Sequence, residues 1–248
     1  MVCHPWRGLF GGETIMQKSY FFIADLLGFS NIVRNSTHDQ MEQRIMKWIG
    51  LVRKAKEFAE IEQIQLISDT LFASAGDSKE DLIKLIKFSQ YLLNKGVPMS
   101  LPIKGAICFD EYEWGELTYG KAVIRAHELE SKQDWIGIVC DNYLPHSKEL
   151  YGFGSLIFYP VPMKASQFRL HPAVDWCIPE TNELLAFLSE EGLVRDGEIF
   201  TWNLADKLNN TIQFSMYKYF AEKSGLDISQ FNDNLSIECI EKYLRTNI

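Results

Sequence analysis

The sequence has no apolar run close to the roughly 20 residues that a membrane-crossing helix requires, and its start lacks the apolar centre of a secretion signal. No membrane partner is expected. Cysteine is scarce, with 5 in 248 residues. Cys3, Cys108, Cys140, Cys177 and Cys239 are dispersed, odd in number and without a Cys-x-x-Cys pair, which excludes a disulfide framework and a cysteine zinc site. The expected compartment is the reducing cytoplasm. Basic charge is also in deficit, 25 Lys and Arg against 33 Asp and Glu, for a formal net charge of -8. A chain that wraps nucleic acid needs clustered cations to neutralise phosphates, so no nucleic-acid partner is expected. His4, His38, His127, His146 and His171 show no metal-ligand spacing. There is no internal repeat, low-complexity tract or long linker.

The hydrophobic fraction of 46% suffices for a full core, and the length suits one elaborated domain or two small ones. Met1 to Ile15 fit no periodic pattern and carry Pro5, Gly8, Gly11 and Gly12. Gly11-Gly12-Glu13 is what a purine-rich ribosome-binding site ahead of Met16 would encode if translated. Residues 1–17 are accordingly expected to be disordered or non-native, with the native start at Met16.

A strand is expected at about 19–25, followed by a turn at Gly28. Met41, Ile45, Trp48, Val52, Ala55 and Ala59 recur at steps of four and three, which predicts one helical face, with Ser36 or Thr37 as N-cap. Two short strands flank Asp69. A second helix is expected over 78–94, with Gly96 and Pro98 beyond its end, and a further strand over 102–109. The order β-α-β-β-α-β is the ferredoxin-like arrangement, an antiparallel sheet with both helices on one face. The pattern then predicts a helix over 121–131, strands over 135–140 and 155–161 that extend the sheet, and a short helix between them ending near Tyr151. After Trp176 it turns helical, most clearly over 209–223 and 236–245. The fold class is therefore α+β, an α/β sandwich with a C-terminal helical extension over 177–248.

Two carboxylates stand where strands end. Asp25 closes Tyr20-Phe21-Phe22-Ile23-Ala24, and Asp69 sits at the tip of Ile64-Gln65-Leu66-Ile67-Ser68-Asp69-Thr70-Leu71. Two such groups at one end of a sheet can hold hard divalent cations against a triphosphate. Simple turn or capping chemistry also places Asp at such positions.

Phe22-Ile23-Ala24-Asp25-Leu26-Leu27-Gly28-Phe29-Ser30 resembles the first metal motif of class III nucleotidyl cyclases, and Ile67-Ser68-Asp69-Thr70 resembles the second. The resemblance continues through Leu101 to Ile107 and through Tyr119-Gly120-Lys121-Ala122-Val123-Ile124-Arg125-Ala126-His127-Glu128, and covers about 18–176. It implies a class III cyclase domain over that span, working as a head-to-tail homodimer with its sites at the interface. Asp25, Leu26 and Asp69 would be the metal-binding positions for two divalent cations, Mn2+ or Mg2+. One would activate the ribose 3'-hydroxyl of a nucleoside triphosphate, and the other would neutralise departing pyrophosphate. Backbone N–H groups of Leu26, Leu27, Gly28 and Phe29 would cradle phosphate.

The departures from that pattern point to the substrate. Purine cyclases read the base with polar groups at the positions that are Gln65 and Leu117 here, and the adenine-type Lys and Asp are missing. The family's helical Asn and Arg fall on Ile124 and Glu128. Lys121 and Arg125 lie four apart on one face, so the Arg125 guanidinium would serve the phosphates from a neighbouring register, with Lys164 as the family's terminal-phosphate lysine. Alternatively Lys121 and Arg125 form a solvated helix face, and Gln65 a solvent-facing strand residue. This combination resembles the pyrimidine cyclases of the bacterial Pycsar antiphage systems. That likeness implies conversion of UTP or CTP to cUMP or cCMP, which activates a separate effector. An adenylate or guanylate cyclase with atypical base contacts, a nucleotide-binding pseudo-cyclase, and an interaction protein working through its tail are the alternatives.

Overall fold

The computed structural model describes residues 16–165, 167–178, 194–195, 198–199 and 202–224. The expectations for residues 1–15, for a helix over 236–245 and for much of the 177–248 extension lie outside these. Eight strands form one sheet: β1 (Gln17–Leu26), β2 (Gln63–Ile67), β3 (Thr70–Ala75), β4 (Ile103–Glu113), β5 (Tyr119–Gly120), β6 (Gly137–Cys140), β7 (Leu156–Met163) and β8 (Gln167–Val174). Their order is β2-β3-β1-β4-β6-β8-β7, with β5 paired to β4. The first four are antiparallel neighbours in the ferredoxin-like order, and β6 joins β4 in parallel.

The β1 alternation explains the layering. Tyr20, Phe22, Ala24 and Leu26 enter one core with α2 (His38–Ala59) and α3 (Lys79–Gly96), while Phe21 and Ile23 enter a smaller core on the opposite face. α4 (Lys121–Lys132) covers that second face with Ala122 and Ala126, whose small side chains let the helix approach closely. α1 (Phe29–Asn35) follows the Gly28 turn. Both long helices begin in capping boxes, Thr37 with Gln40 and Ser78 with Asp81. Thr37 rather than Ser36 is the cap.

Two strands of the large sheet went unrecognised in the sequence, as did a short pair at 194–195 and 198–199, in the stretch expected to be helical. β8 begins with exposed residues and contains Pro172, so it lacks alternation. It is held by β7 across a hairpin with Ala165 at φ 62°. β5 is only two residues, and Gly120 at φ 141° joins it to α4 where a Cβ would stand 2.5 Å from the Tyr112 Cα. The last described helix, α5 (Trp202–Lys223), starts seven residues before the periodic stretch. It packs on the sheet through Phe214, whose ring centroid lies 5.0 Å from that of Trp135 and 4.7 Å from that of Tyr159. The Ile136 amide also donates to Thr211 Oγ1 at 2.9 Å. The short strands β9 (Val194–Arg195) and β10 (Glu198–Ile199) pair with each other.

Candidate active site

Asp25 lies in the central strand, with Thr70 of β3 opposite on one side and Lys104 of β4 on the other. Asp69 occupies the two-residue β2–β3 turn, where Ser68 adopts φ 59°. The Leu26 amide donates to the Asp69 carbonyl at 3.3 Å, so the turn is pinned to the end of β1 and the two carboxylate-bearing segments meet. Both aspartates are partly buried. Asp25 Oδ1 is a buried oxygen with no hydrogen-bond partner. Among the described residues, no group of three or more His, Cys, Asp or Glu side chains is arranged to hold a metal ion.

The expected phosphate cradle needs correction. The Leu26 amide is engaged by Asp69, the Leu27 amide donates to the Pro102 carbonyl at 2.8 Å, and both side chains are buried in the core. Of that stretch only the Gly28 and Phe29 amides remain candidates. Gly28 supplies the positive φ, 79°, that lets the chain leave β1 and enter α1.

Beside Asp25 lies a buried ion pair that sequence reasoning missed. Lys104 Nζ stands 2.5 Å from Glu130 Oε1, outside hydrogen-bonding angles, and donates to the Glu130 carbonyl at 3.2 Å. Lys104 is 9% exposed and Glu130 1%. Burial pushes the Glu130 carboxyl up and Lys104 draws it down. The nearby charge of Asp25 adds to the rise, and the net direction is upward. Lys104 is the only charged residue in Leu101 to Phe109, and Glu130 continues the buried stripe Ala122, Ala126 at i+4. Those two breaks in apolar pattern were the available signal.

Gln65 and the loop at Leu117 come together as well, since Thr118 Oγ1 donates to Gln65 Oε1 at 3.3 Å. Gln65 faces the same side of the sheet as Asp25, through the row Ile23, Phe72, Gln65. Leu117 is 60% exposed.

Arg125 stands apart from the aspartates. Its Nη1 donates to Asp110 Oδ2 at 3.0 Å and its Nη2 to Asp141, while Lys121 pairs with Glu111 at 2.9 Å. Asp110 lies six residues beyond Lys104 on β4, roughly 20 Å at a strand rise of about 3.3 Å per residue. Partial desolvation pushes Asp110 up, but the Glu111 amide and Arg125 outweigh it and hold the carboxyl below its ordinary value. Arg125 opens onto a cleft of about 220 Å3 between α4 and the β7–β8 hairpin, together with Lys132, Asp141, Lys164, Arg169 and His171. The structure thus brings Arg125 and Lys164 to one cleft and Lys121 to its own ion pair on β4. Burial holds His171 below its usual value, and its Nδ1 has no hydrogen-bond partner.

No protein-family profile and no curated protein sequence matches the chain. Solved structures do match its fold. The guanylate cyclase domain of RhGC from Catenaria anguillulae, in complex with GTP, superposes with a TM-score of 0.51 at 12% identity over 64% of this chain and 97% of that one. A non-canonical dimeric guanylyl cyclase domain of the RhoGC fusion protein from Blastocladiella emersonii gives 0.52 at 15% identity, covering 65% and 99%. A bacterial light-regulated adenylyl cyclase gives 0.53 at 12% identity, covering 73% of this chain and 59% of that one. With its antiparallel core, the parallel β4–β6 extension and α4 on the reverse face, the chain has the fold of class III nucleotide cyclase domains.

Proposed function

We propose that this protein is a divalent-cation-dependent nucleotide cyclase acting on UTP or CTP, with its catalytic domain over 18–176. The observation that carries the reading is the junction of Asp25 and Asp69 through the Leu26 amide, with Asp25 Oδ1 left without a hydrogen-bond donor. A buried carboxylate oxygen lacking any donor is costly, and a hard cation satisfies it. Two carboxylates with substrate phosphate as further ligands fit Mn2+ or Mg2+, and Asp25, Asp69 and the Leu26 position would hold them. The cations would supply Lewis acidity toward the ribose hydroxyl and charge neutralisation at the triphosphate. The 3'-oxygen would bond to the α-phosphorus as its proton passes to solvent, the bond from the α-phosphorus to the bridging oxygen would break, and pyrophosphate would leave with that oxygen.

The remaining groups support a site shared between two subunits. Arg125 is held by Asp110 and Asp141, and Asp110 stands six residues, roughly 20 Å, along β4 from Lys104, the partner of Asp25. Within one chain Arg125 and Lys164 line a cleft that includes neither Asp25 nor Asp69. A head-to-tail homodimer would bring this cationic cleft of one subunit to the carboxylates of the other. Gln65, with an amide that both donates and accepts, and apolar Leu117 favour a small base over a purine read by two polar partners. The antiphage setting, with an effector responding to cUMP or cCMP, rests on the sequence motifs alone.

A nucleotide-binding pseudo-cyclase is the second reading, favoured by the engagement of Arg125 with two carboxylates. Incubation of the protein with MnCl2 and each of ATP, GTP, CTP and UTP, with products resolved by mass, separates these. Cyclisation of UTP or CTP alone is the expected result. Cyclic AMP or GMP would overturn the pyrimidine assignment, and nucleotide binding without any product would favour the pseudo-cyclase.

A further inference from the structure

We propose that Glu130 is a positioning residue that diverts Lys104 away from Asp25, so that the Asp25 carboxylate stays available to a divalent cation; this rests on the cation reading of Asp25 and Asp69. Lys104 is the cross-strand partner of Asp25, on the same face of the sheet. Directly opposed residues of an antiparallel pair have Cβ atoms about 5 Å apart, so an ammonium there is within easy reach of the carboxylate. In the structure it turns elsewhere. Nζ meets both the side chain and the backbone carbonyl of Glu130, one helix layer above the sheet, while Asp25 Oδ1 remains without a donor.

A lysine paired directly with Asp25 would occupy the oxygen a cation needs. A lysine removed altogether would leave two carboxylates, Asp25 and Glu130, facing each other under α4 without a counter-charge. The pair therefore keeps local charge in balance while leaving Asp25 open. Core stability gives little reason for it, because a buried ion pair is often matched or bettered by apolar side chains of similar volume. It sits at the one place on the α4 face where β1 presents a carboxylate. The neighbouring positions on that face, Ile23, Ala106 and Ala126, are apolar.

The test measures MnCl2 binding to the full chain by electron paramagnetic resonance of free Mn2+, with no nucleotide present, alongside the melting temperature. Glu130→Gln frees the ammonium to fall back on Asp25, and Mn2+ affinity is expected to drop about tenfold or more. Adding Lys104→Met removes the intruding cation, and the double variant is expected to recover affinity to within about threefold of the parent. A purely structural pair would change the melting temperature and leave Mn2+ affinity untouched. Unchanged binding in Glu130→Gln, or a double variant as weak as Glu130→Gln, overturns the proposal. If Glu130→Gln does not fold, Glu130→Asp, which shortens the tether by one methylene, reports the same direction with a smaller loss, and unchanged binding there overturns it equally. Asp25→Asn controls for the reading beneath it. A parent that binds no Mn2+, or an Asp25→Asn variant that binds like the parent, refutes the cation site itself and the role of Glu130 with it.

Discussion

Arg125 donates to Asp110 at 3.0 Å, and this contact ties the guanidinium to a carboxylate six residues along β4 from the cross-strand partner of Asp25. Residues 104 to 110 of β4 separate Asp110 from the cross-strand partner of Asp25 by roughly 20 Å at a strand rise of about 3.3 Å per residue. Within one subunit the candidate site is therefore divided, and its dissection needs variants on both halves.

On the carboxylate half, Asp69→Asn is isosteric and its turn is held by backbone contacts, so the melting temperature should stay close to that of the parent. Turnover should fall by on the order of a thousandfold, since a neutral amide holds a divalent cation poorly. Product formation measured with Mn2+ and the accepted nucleotide checks this, and residual activity near the parent level would remove Asp69 from the site.

Complementation tests the division of labour. Asp69→Asn and Arg125→Ala chains, each inactive alone, should regain about a quarter of the parent activity when mixed and allowed to exchange. Half the dimers are then mixed, and each has one intact interface site of two. A mixture no more active than its components would rule out a shared site.

Base selection should respond to the Gln65 and Leu117 pair. Introducing Gln65→Lys with Leu117→Asp supplies the polar groups of adenine-reading cyclases, and the ratio of kcat/KM for ATP over the pyrimidine nucleotide should rise by at least about tenfold. Steady-state assays with competing nucleotides measure that ratio. No shift would mean that these residues, though neighbours through Thr118, do not meet the base.

Acidification should destabilise the fold through His171. Burial holds its imidazole neutral below the ordinary value of 6.5, so the unfolded chain binds a proton that the folded chain refuses. Its contribution is fully present above 6.5 and is lost as pH falls from there toward the folded value. Melting temperatures recorded from pH 7.5 downward should decline, and His171→Asn should flatten that decline. Parallel profiles for parent and variant would contradict it.

Much of this was legible along the chain. The period-three-and-four stripe from Met41 to Ala59, the helix starts near Ser36 or Thr37 and at Ser78, and the apolar strand ending at Asp25 are local patterns, and local patterns specify elements because burial on one face selects the period. The β8 strand was not legible. Its exposed first half offers no alternation, and only pairing with β7 makes it a strand.

The amino-acid sequence by itself determined the order of helices and strands through the sheet core and the placing of Asp25 and Asp69 at strand ends, since each follows from side chains a few residues apart. Tertiary structure alone decided that Leu26 binds Asp69, that Lys104 turns to Glu130, that Gln65 meets Thr118 and that Arg125 is held by Asp110 and Asp141. The partners in the first three contacts lie between 26 and 53 residues apart in the chain, and Asp110 lies 15 from Arg125, so none announced itself in a motif spacing. Register between strands and the packing of α4 on the sheet set these contacts, and both come from how the two apolar faces pack rather than from any motif.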